Sequence, residues 1–587
     1  MTQYKTLIEP LYEAPDDKTF VTMCEGDEPV QEVSFGHFRR LAETQALDFA
    51  AKGLCQGDCV VLVMPQGISL MAAFVGAMLL GAIPSILAYP NFKLDPAKYR
   101  MGLSGVSKNL GARLIVIDEE FPSDLLACIE GLPNGAKVVR TVGSALTAKA
   151  AELRQFCDIK ADQLAFIQHS AGTTGLQKGV ALTHAAVLRQ LDHLVDALRI
   201  TQADRIYSWL PLYHDMGLIA CFMLPMVCGL PITMQSPTDW VMQPATMLKI
   251  ISDNRCTLAW LPNFAFQFTA RRVPCELRKR FDLSSMRMFI NCSEPVRASS
   301  MDEFFSAFAS CGLQPSALQT SYAMAENVFA VTQSGSAQSS TPFRAHIDSQ
   351  IFRDEHRAVI VDKSAREAVE FVSSGRCLRQ NEVRIVAEAG ADLAEGHVGE
   401  ILIRSDSLFS GYFNRPDLSA SVLRDGWYWS GDLGFRIGDE LFIVGRKKDL
   451  IIVAGKNIYP QDIEEIAWRH PAVHAGRAVA IGIYNPELGT EDVFVVAELS
   501  KHCDLDRAPS IEGEIASAIV AELGISVRRV LLKPPKWIVK SSAGKPARST
   551  TLEKLFQEHQ DLRVSECRRN DNRDDRRSEA LEPAPAK

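Results

Sequence analysis

The sequence predicts an α/β fold: a large N-terminal domain of several subdomains with parallel sheets, a small β-rich subdomain, and a small α+β domain at the C-terminal end. Three observations carry this expectation. Through residue 445, apolar runs such as CVVLVM at 59, ARLIVID at 112 and QLAFIQHS at 163 alternate with longer helical segments, the pattern of α/β layers. From Gly396 to Val444 the texture turns to short strands between glycine turns, as in GEILIRS, GWYWSGDLG and DELFIVG. The chain has 587 residues, too many for one core when domains run to about 100–200 residues each.

Each element has its own signal. Ser34 to Lys52 reads as a helix after CEGDEPVQEV. Residues 70 to 83, LMAAFVGAMLLGAI, are the most membrane-like stretch, but 14 residues before Pro84 fall short of a span and read as a buried helix. Residues 333 to 350, QSGSAQSSTPFRAHIDSQ, are poor in large apolar groups and read as a surface excursion. A second unit starts near GRKKD at 445–449 and runs helix (Pro460 to Trp468), strand (Gly476 to Ile483), strand (Glu491 to Leu499), helix (Ile511 to Leu523), strand. The last stretch, 565–587, is charged and ends in EPAPAK, the composition of a disordered tail. The expected division is 1–445, 446–564 and 565–587.

Composition narrows the class. Forty-seven per cent hydrophobic residues and a formal net charge of −8 are ordinary for a globular protein, and intermixed charges argue against a nucleic-acid partner. Fourteen cysteines with no CxxC pair suit neither a zinc cluster nor a disulfide scaffold; reduced thiols in a cytoplasmic protein fit best. The N-terminus lacks a basic start followed by an apolar core, so no secretory signal is expected.

The most informative segment is FIQHSAGTTGLQKGVALTH at 166–184, a strand that breaks into a loop fit to wrap phosphate. Gly172, Gly175 and Gly179 let the backbone approach a ligand, Ser170, Thr173 and Thr174 offer hydroxyls, and Lys178 supplies the counter-charge. Gln177 and Gly179 flank Lys178, which excludes a Walker A loop; a plain glycine-rich surface loop would read the same. In SWLPLYHDMGLI, His214 and Asp215 stand ahead of an apolar run, with no further ligands spaced for a metal dyad. LAWLPNFAFQFTARR at 258–272 has the content of a pocket wall or of ordinary core. NCSEPVR at 291–297 and TSYAMAENVF at 320–329 follow strand-like runs, where parallel sheets build ligand sites. There Tyr322 can stack on a base, and Glu326 can hold magnesium. Asp432 in YWSGDLG can accept both ribose hydroxyls, and Lys545 in KSSAGKPAR lies on a small-residue turn. Taken one at a time, His214 reads as readily as structural, and Tyr322, Glu326 and Lys545 more readily so.

In this order, HSAGTTGLQKG, YHDMGL, SEPVR, YAMAE, YWSGDLG, GRKKDLIIVAGKNIYPQDIEE and SSAGK resemble the adenylate-forming superfamily of acyl-CoA synthetases, luciferases and peptide-synthetase adenylation domains, over about residues 30–555. YHDMGLI, PNFAF, SEPVR, MAE and GKNIYPQDIEE resemble the fatty acyl-AMP ligases within it, whose large domain carries an insertion; part of 333–370 is the candidate here. The resemblance implies an N-terminal adenylation domain and a mobile C-terminal domain. It also implies that the 170–178 loop cradles triphosphate with Lys178, that His214 lies near the acyl carboxylate, and that Ser293, Glu294 and Pro295 wall the adenine. Tyr322 would stack on that base beside Ala323 and Met324, and Glu326 would bind magnesium. Asp432 and Arg446 would contact the ribose, Lys448 would be the hinge, and Lys545 would enter during adenylation. Ala171, Gln177, His169, Ala323 and Pro546 depart from the family pattern.

The implied reaction uses Mg-ATP to convert a fatty or related carboxylic acid to acyl-adenylate with release of pyrophosphate. The acyl group then passes to the phosphopantetheine thiol of an acyl carrier protein. The rivals are a ligase using free coenzyme A, an adenylation enzyme for an amino or unusual acid, and a nucleotide-binding protein that has lost catalysis.

Overall fold

The computed structural model describes residues 4–90, 96–123, 125–126, 136–140, 158–170, 177–335, 341–453, 456–485, 488–500, 507–540 and 546–559. The tail at 565–587 therefore lies outside the described residues. Contacts divide the chain into two units, one of residues 1–347, 360–430 and 434–443, the other of 348–359, 431–433 and 444–587.

In the first unit, the Ser34 hydroxyl accepts the His37 N–H at 3.2 Å and starts the helix Phe35–Ala51, one turn-opening donor satisfied by a side chain. The membrane-like stretch forms the helix Ile68–Leu79, buried residue after residue. A Cβ added at Gly76 would lie 2.7 Å from the Ala42 carbonyl oxygen, so a side chain there would push the two helices apart. Among the described residues, no helix is long and apolar enough to cross a membrane.

The nine-stranded sheet runs in the order Arg376–Cys377, Ala330–Gln333, Leu318–Ala323, Met288–Asn291, Leu258–Leu261, Ile206–Ser208, Ile232–Gln235, Thr19–Glu25, Glu28–Ser34. From Leu318–Ala323 to Thr19–Glu25 neighbouring strands are parallel, and the edges are antiparallel. The inner strands LAWL, MFIN and LQTSYA are short and buried on both faces, as parallel strands covered by helices must be. A second, four-stranded sheet, Ile83–Ile86, Cys59–Val63, Leu114–Ile117 and Lys137–Arg140, is wholly parallel. The β-rich texture after 380 becomes a five-stranded sheet that includes Asn381–Val386, Gly399–Ser405 and Trp427–Ile437.

The expected surface excursion at 333–350 is corrected at Gln333 and Ser334, which are buried, while the described residues from 341 to 350 are mostly half-buried or exposed. Ala330–Gln333 is a buried strand of the large sheet, and Arg344–Asp348 is a strand followed by the helix Ser349–Glu355. Polar composition misled because the polar groups here bond one another. The Ser334 hydroxyl donates to Gln319 Oε1 at 2.6 Å and accepts the Thr320 N–H at 2.7 Å, and the Thr332 hydroxyl donates to the Ser374 carbonyl at 2.7 Å. Buried polar groups are tolerated when they are paired in this way.

The second unit has its own core. Val473–Asn485 pairs antiparallel with Thr490–Leu499, which pairs parallel with Val527–Lys533. The helices Pro460–Arg469 and Ala508–Leu523 supply Ile463, Ile466, Ile511, Ile515 and Ile519 to the apolar cluster on that sheet.

Candidate active site

The topology sorts the motif residues by position. Leu318–Ala323, Met288–Asn291, Leu258–Leu261 and Ile206–Ser208 are consecutive neighbours in the large sheet. They run directly into YAMAEN, NCSEPVR, LPNFAF and SWLPLYHDM. Four motifs spread from Ser208 to Asn327 in sequence thus leave the carboxyl ends of adjacent parallel strands, where open α/β sheets bind ligands.

The glycine-rich motif is flanked by two paired strands. Leu164–Ser170 pairs antiparallel with Lys178–Thr183, with Ser170 opposite Lys178 and His169 opposite Gly179. Gly172, Thr173, Thr174 and Gly175 fall outside the described residues, as does the Ser170 side chain. Lys178 Nζ sits 4.7 Å above the centre of the Tyr412 ring. The Tyr412 hydroxyl donates to Glu326 Oε1 at 2.8 Å, so Lys178 and Glu326 meet through one aromatic residue. The strand and the 409–413 segment are laced together: Val180 bridges Tyr412, the Phe413 N–H donates to the Gly179 carbonyl at 2.8 Å, and the Phe409 N–H donates to the Glu326 carbonyl at 2.9 Å.

Glu326 is presented on a strained turn. Val328 has φ +62° and ψ −54°, and the Phe329 N–H donates to the Asn327 carbonyl at 2.6 Å. This is the rare, strained form of γ-turn, held by the Asn327 Nδ2 bond to the Ala330 carbonyl at 2.8 Å. His169 is buried, and desolvation pushes its imidazole down to about 4. Neutral and out of water, it packs in the manner of an apolar ring.

His214 follows the strand end at Ser208. Its Nδ1 lies 3.1 Å from Asp215 Oδ1, which also accepts the Met216 N–H at 2.8 Å. Asp215 thereby orients the imidazole and caps the buried π-helix Met216–Met223, a rare, wide helical form that is frequent at functional sites. The Ser293 hydroxyl reaches Met216 Sδ at 3.8 Å, with φ +69° at Ser293. Glu294 Oε2 accepts the Phe264 N–H at 3.0 Å, so this carboxylate caps the helix Asn263–Arg272. Asn263 Oδ1 accepts Asn291 Nδ2 at 2.9 Å and the Arg297 N–H at 3.0 Å. The PNFAF and SEPVR segments are therefore one hydrogen-bonded assembly. Beside them Trp209 and Trp240 stack at 3.9 Å and 4°, with Phe264 and Phe268 against Trp240 at 5.9 and 5.3 Å. Tyr322 is buried, and Ala323 and Met324 are half-buried at its strand end.

In the second unit, Arg446 Nε lies 3.1 Å from Asp432 Oδ1. Lys448 is exposed on the 3-10 turn Lys447–Asp449. Lys545 lies outside the described residues. On either side of it in sequence, Lys540 bridges Pro546, and the Ala547 N–H donates to the Val539 carbonyl at 2.8 Å. Arg548, next along, pairs with Glu464 at 2.8 Å and with Asp449 at 3.2 Å.

Residues 10–413 match the sequence pattern of the AMP-binding enzymes. The chain belongs to the AMP-binding enzyme family. A medium-chain-fatty-acid–[acyl-carrier-protein] ligase, JamA, of Moorena producens is 29% identical over 92% of this chain and 92% of its own. A long-chain-fatty-acid–AMP ligase, FadD32, of Mycolicibacterium smegmatis is 29% identical over 84% of each chain. A solved structure from structural and functional work on the fatty acyl-adenylate ligases of E. coli and L. pneumophila superposes with a TM-score of 0.85, at 27% identity, over 95% of this chain and 98% of its own. This AMP-binding enzyme is an adenylate-forming ligase that uses ATP, close to the fatty acyl-AMP ligases, and its α/β architecture is theirs.

Sequence reasoning passed over Tyr412, Asn263 and Asn291. The signal for Tyr412 was SGYFNRPD, an aromatic behind a glycine between strands, but nothing in its local pattern indicates that it meets residues some 86 and 234 positions earlier.

Proposed function

We propose that this chain activates a fatty or related carboxylic acid as its adenylate and passes the acyl group to the phosphopantetheine thiol of an acyl carrier protein. The observation that carries the reading is the convergence of four motif loops at neighbouring strand ends. The Lys178–Tyr412–Glu326 link adds a cation and a carboxylate in the same unit. A carboxylate is a poor electrophile, so it must first gain a leaving group. Its oxygen attacks the α-phosphorus of ATP, the bond to the bridging oxygen breaks, and pyrophosphate departs. The thiol sulfur then attacks the acyl carbon, AMP leaves, and the thiol proton passes to solvent.

Positioning and charge neutralisation are the work asked of the protein. Lys178, with Ser170, Gly172, Thr173, Thr174 and Gly175, would hold the phosphates. His214, oriented by Asp215, would face the acid, and the Trp209–Trp240 stack with Phe264 and Phe268 suits an apolar chain. Ser293, Glu294, Pro295, Ala323 and Met324 would border the adenine, with Tyr322 stacked on it. Asp432 and Arg446 would take the ribose, and Lys545, carried by a domain turning at Lys448, would offset charge on the α-phosphate. The residues also fit magnesium. Glu326 offers a hard oxygen, no group of three or more His, Cys, Asp or Glu forms a cage among the described residues, and magnesium usually takes one or two carboxylates plus substrate phosphates. Bound there, the ion would neutralise phosphate charge.

The test is pyrophosphate exchange with a panel of fatty, aryl and amino acids, followed by thioester formation with holo carrier protein or free coenzyme A. Fatty acids should drive exchange in the parent. Lys545→Ala should lose it by roughly two to three orders of magnitude, as for removal of a transition-state charge donor. Exchange at the parent rate in Lys545→Ala would remove that lysine from the mechanism. Equal rates with coenzyme A and carrier protein would favour the coenzyme A ligase.

A further inference from the structure

We propose that Tyr412 is a positioning residue for adenylation: its hydroxyl aims the Glu326 carboxylate at magnesium, and its ring stores the Lys178 ammonium until phosphate draws it away. The proposal rests on the reading of Glu326 as magnesium ligand and Lys178 as phosphate contact. Three observations support it. The hydroxyl donates to Glu326 Oε1 at 2.8 Å, which would fix the rotation of the carboxylate that is to hold magnesium. Lys178 Nζ is 4.7 Å from the ring centre, an attraction weak enough to yield to a phosphate. Tyr412 itself is buried and pinned from both sides, by its bridge to Val180 and by the Ser419 hydroxyl, which accepts its N–H at 2.8 Å. One rigid ring therefore sets the separation between the metal carboxylate and the phosphate lysine, two groups that must act on the same triphosphate.

Tyr412→Phe keeps the ring and removes only the hydroxyl, whereas Tyr412→Leu removes both. The probe is manganese binding to the full chain saturated with β,γ-imido-ATP, followed by electron paramagnetic resonance, alongside the magnesium dependence of pyrophosphate exchange. Tyr412→Phe should weaken manganese by about tenfold or more, the usual effect of losing a partner behind a metal ligand, with KM for ATP unchanged at saturating magnesium. Tyr412→Leu should add a rise in KM for ATP. Glu326→Gln serves as the reference. If it weakens manganese while Tyr412→Phe binds it like the parent, the Tyr412 role is wrong, even if Tyr412→Phe melts at a lower temperature. If Glu326→Gln binds manganese like the parent, the magnesium reading fails and takes the Tyr412 role with it.

Discussion

Arg548, three positions after Lys545 in sequence, pairs with two acidic residues. Its guanidinium meets both Glu464 oxygens at 2.8 Å and Asp449 at 3.2 Å, and Glu464 is almost wholly buried. Burial pulls against protonation, but the paired carboxylates outweigh it and hold the guanidinium above its ordinary range. Arg548→Met would strand Glu464 in the core. The cost should reach about 3 kcal/mol, the low end for breaking a buried pair, because 26% of the Arg548 side chain still meets water. Urea unfolding of the full chain checks this, and a loss within error of zero would mean that water already compensates Glu464. Residue types alone indicated Lys178, His214, Glu326 and Asp432 as groups able to do chemistry. They did not indicate that Tyr412 holds Glu326, because that contact joins residues 86 positions apart and only the fold creates it.

The decisive element is the π-helix Met216–Met223 behind His214. The sequence showed an apolar run after HDMG, which reads as a helix but not as a widened one, since periodicity over eight residues cannot separate 3.6 from a wider turn. A Cβ built on Gly217 would lie 2.2 Å from the Pro211 carbonyl oxygen, which no real atom pair sustains. Gly217→Ala must therefore displace the 211–215 turn. Unfolding should be easier by about 1–3 kcal/mol, the usual price of overpacking, and KM for the acid should rise more than KM for ATP as His214 moves. An unchanged KM for acid in Gly217→Ala would detach this turn from acid recognition. The short parallel strands were legible as apolar runs. The strand Ala330–Gln333 was not, because half of it, Thr332 and Gln333, consists of buried polar residues.

For the molecule as a whole, buried histidines couple stability to pH. His184 is buried, its Nδ1 accepts the Leu7 N–H at 3.2 Å, and desolvation pushes it down from 6.5 to about 4. The unfolded chain takes a proton below 6.5 that the folded chain refuses until about 4. This contribution is therefore complete above 6.5 and drains away as pH falls towards 4, at up to about 1.4 kcal/mol per pH unit. His184→Gln should flatten the fall in urea stability between pH 6.5 and 4.5, and an unchanged slope would show that other groups set it. By itself, the sequence determined the class of fold, the order of the motifs and the kind of chemistry they serve, because periodicity and residue type are local properties. The tertiary structure alone decided which motifs are neighbours, that Lys178 and Glu326 share a tyrosine, and that Glu294 caps a helix. Those facts depend on strand order and on the burial of polar groups between segments distant in sequence, which no local pattern records.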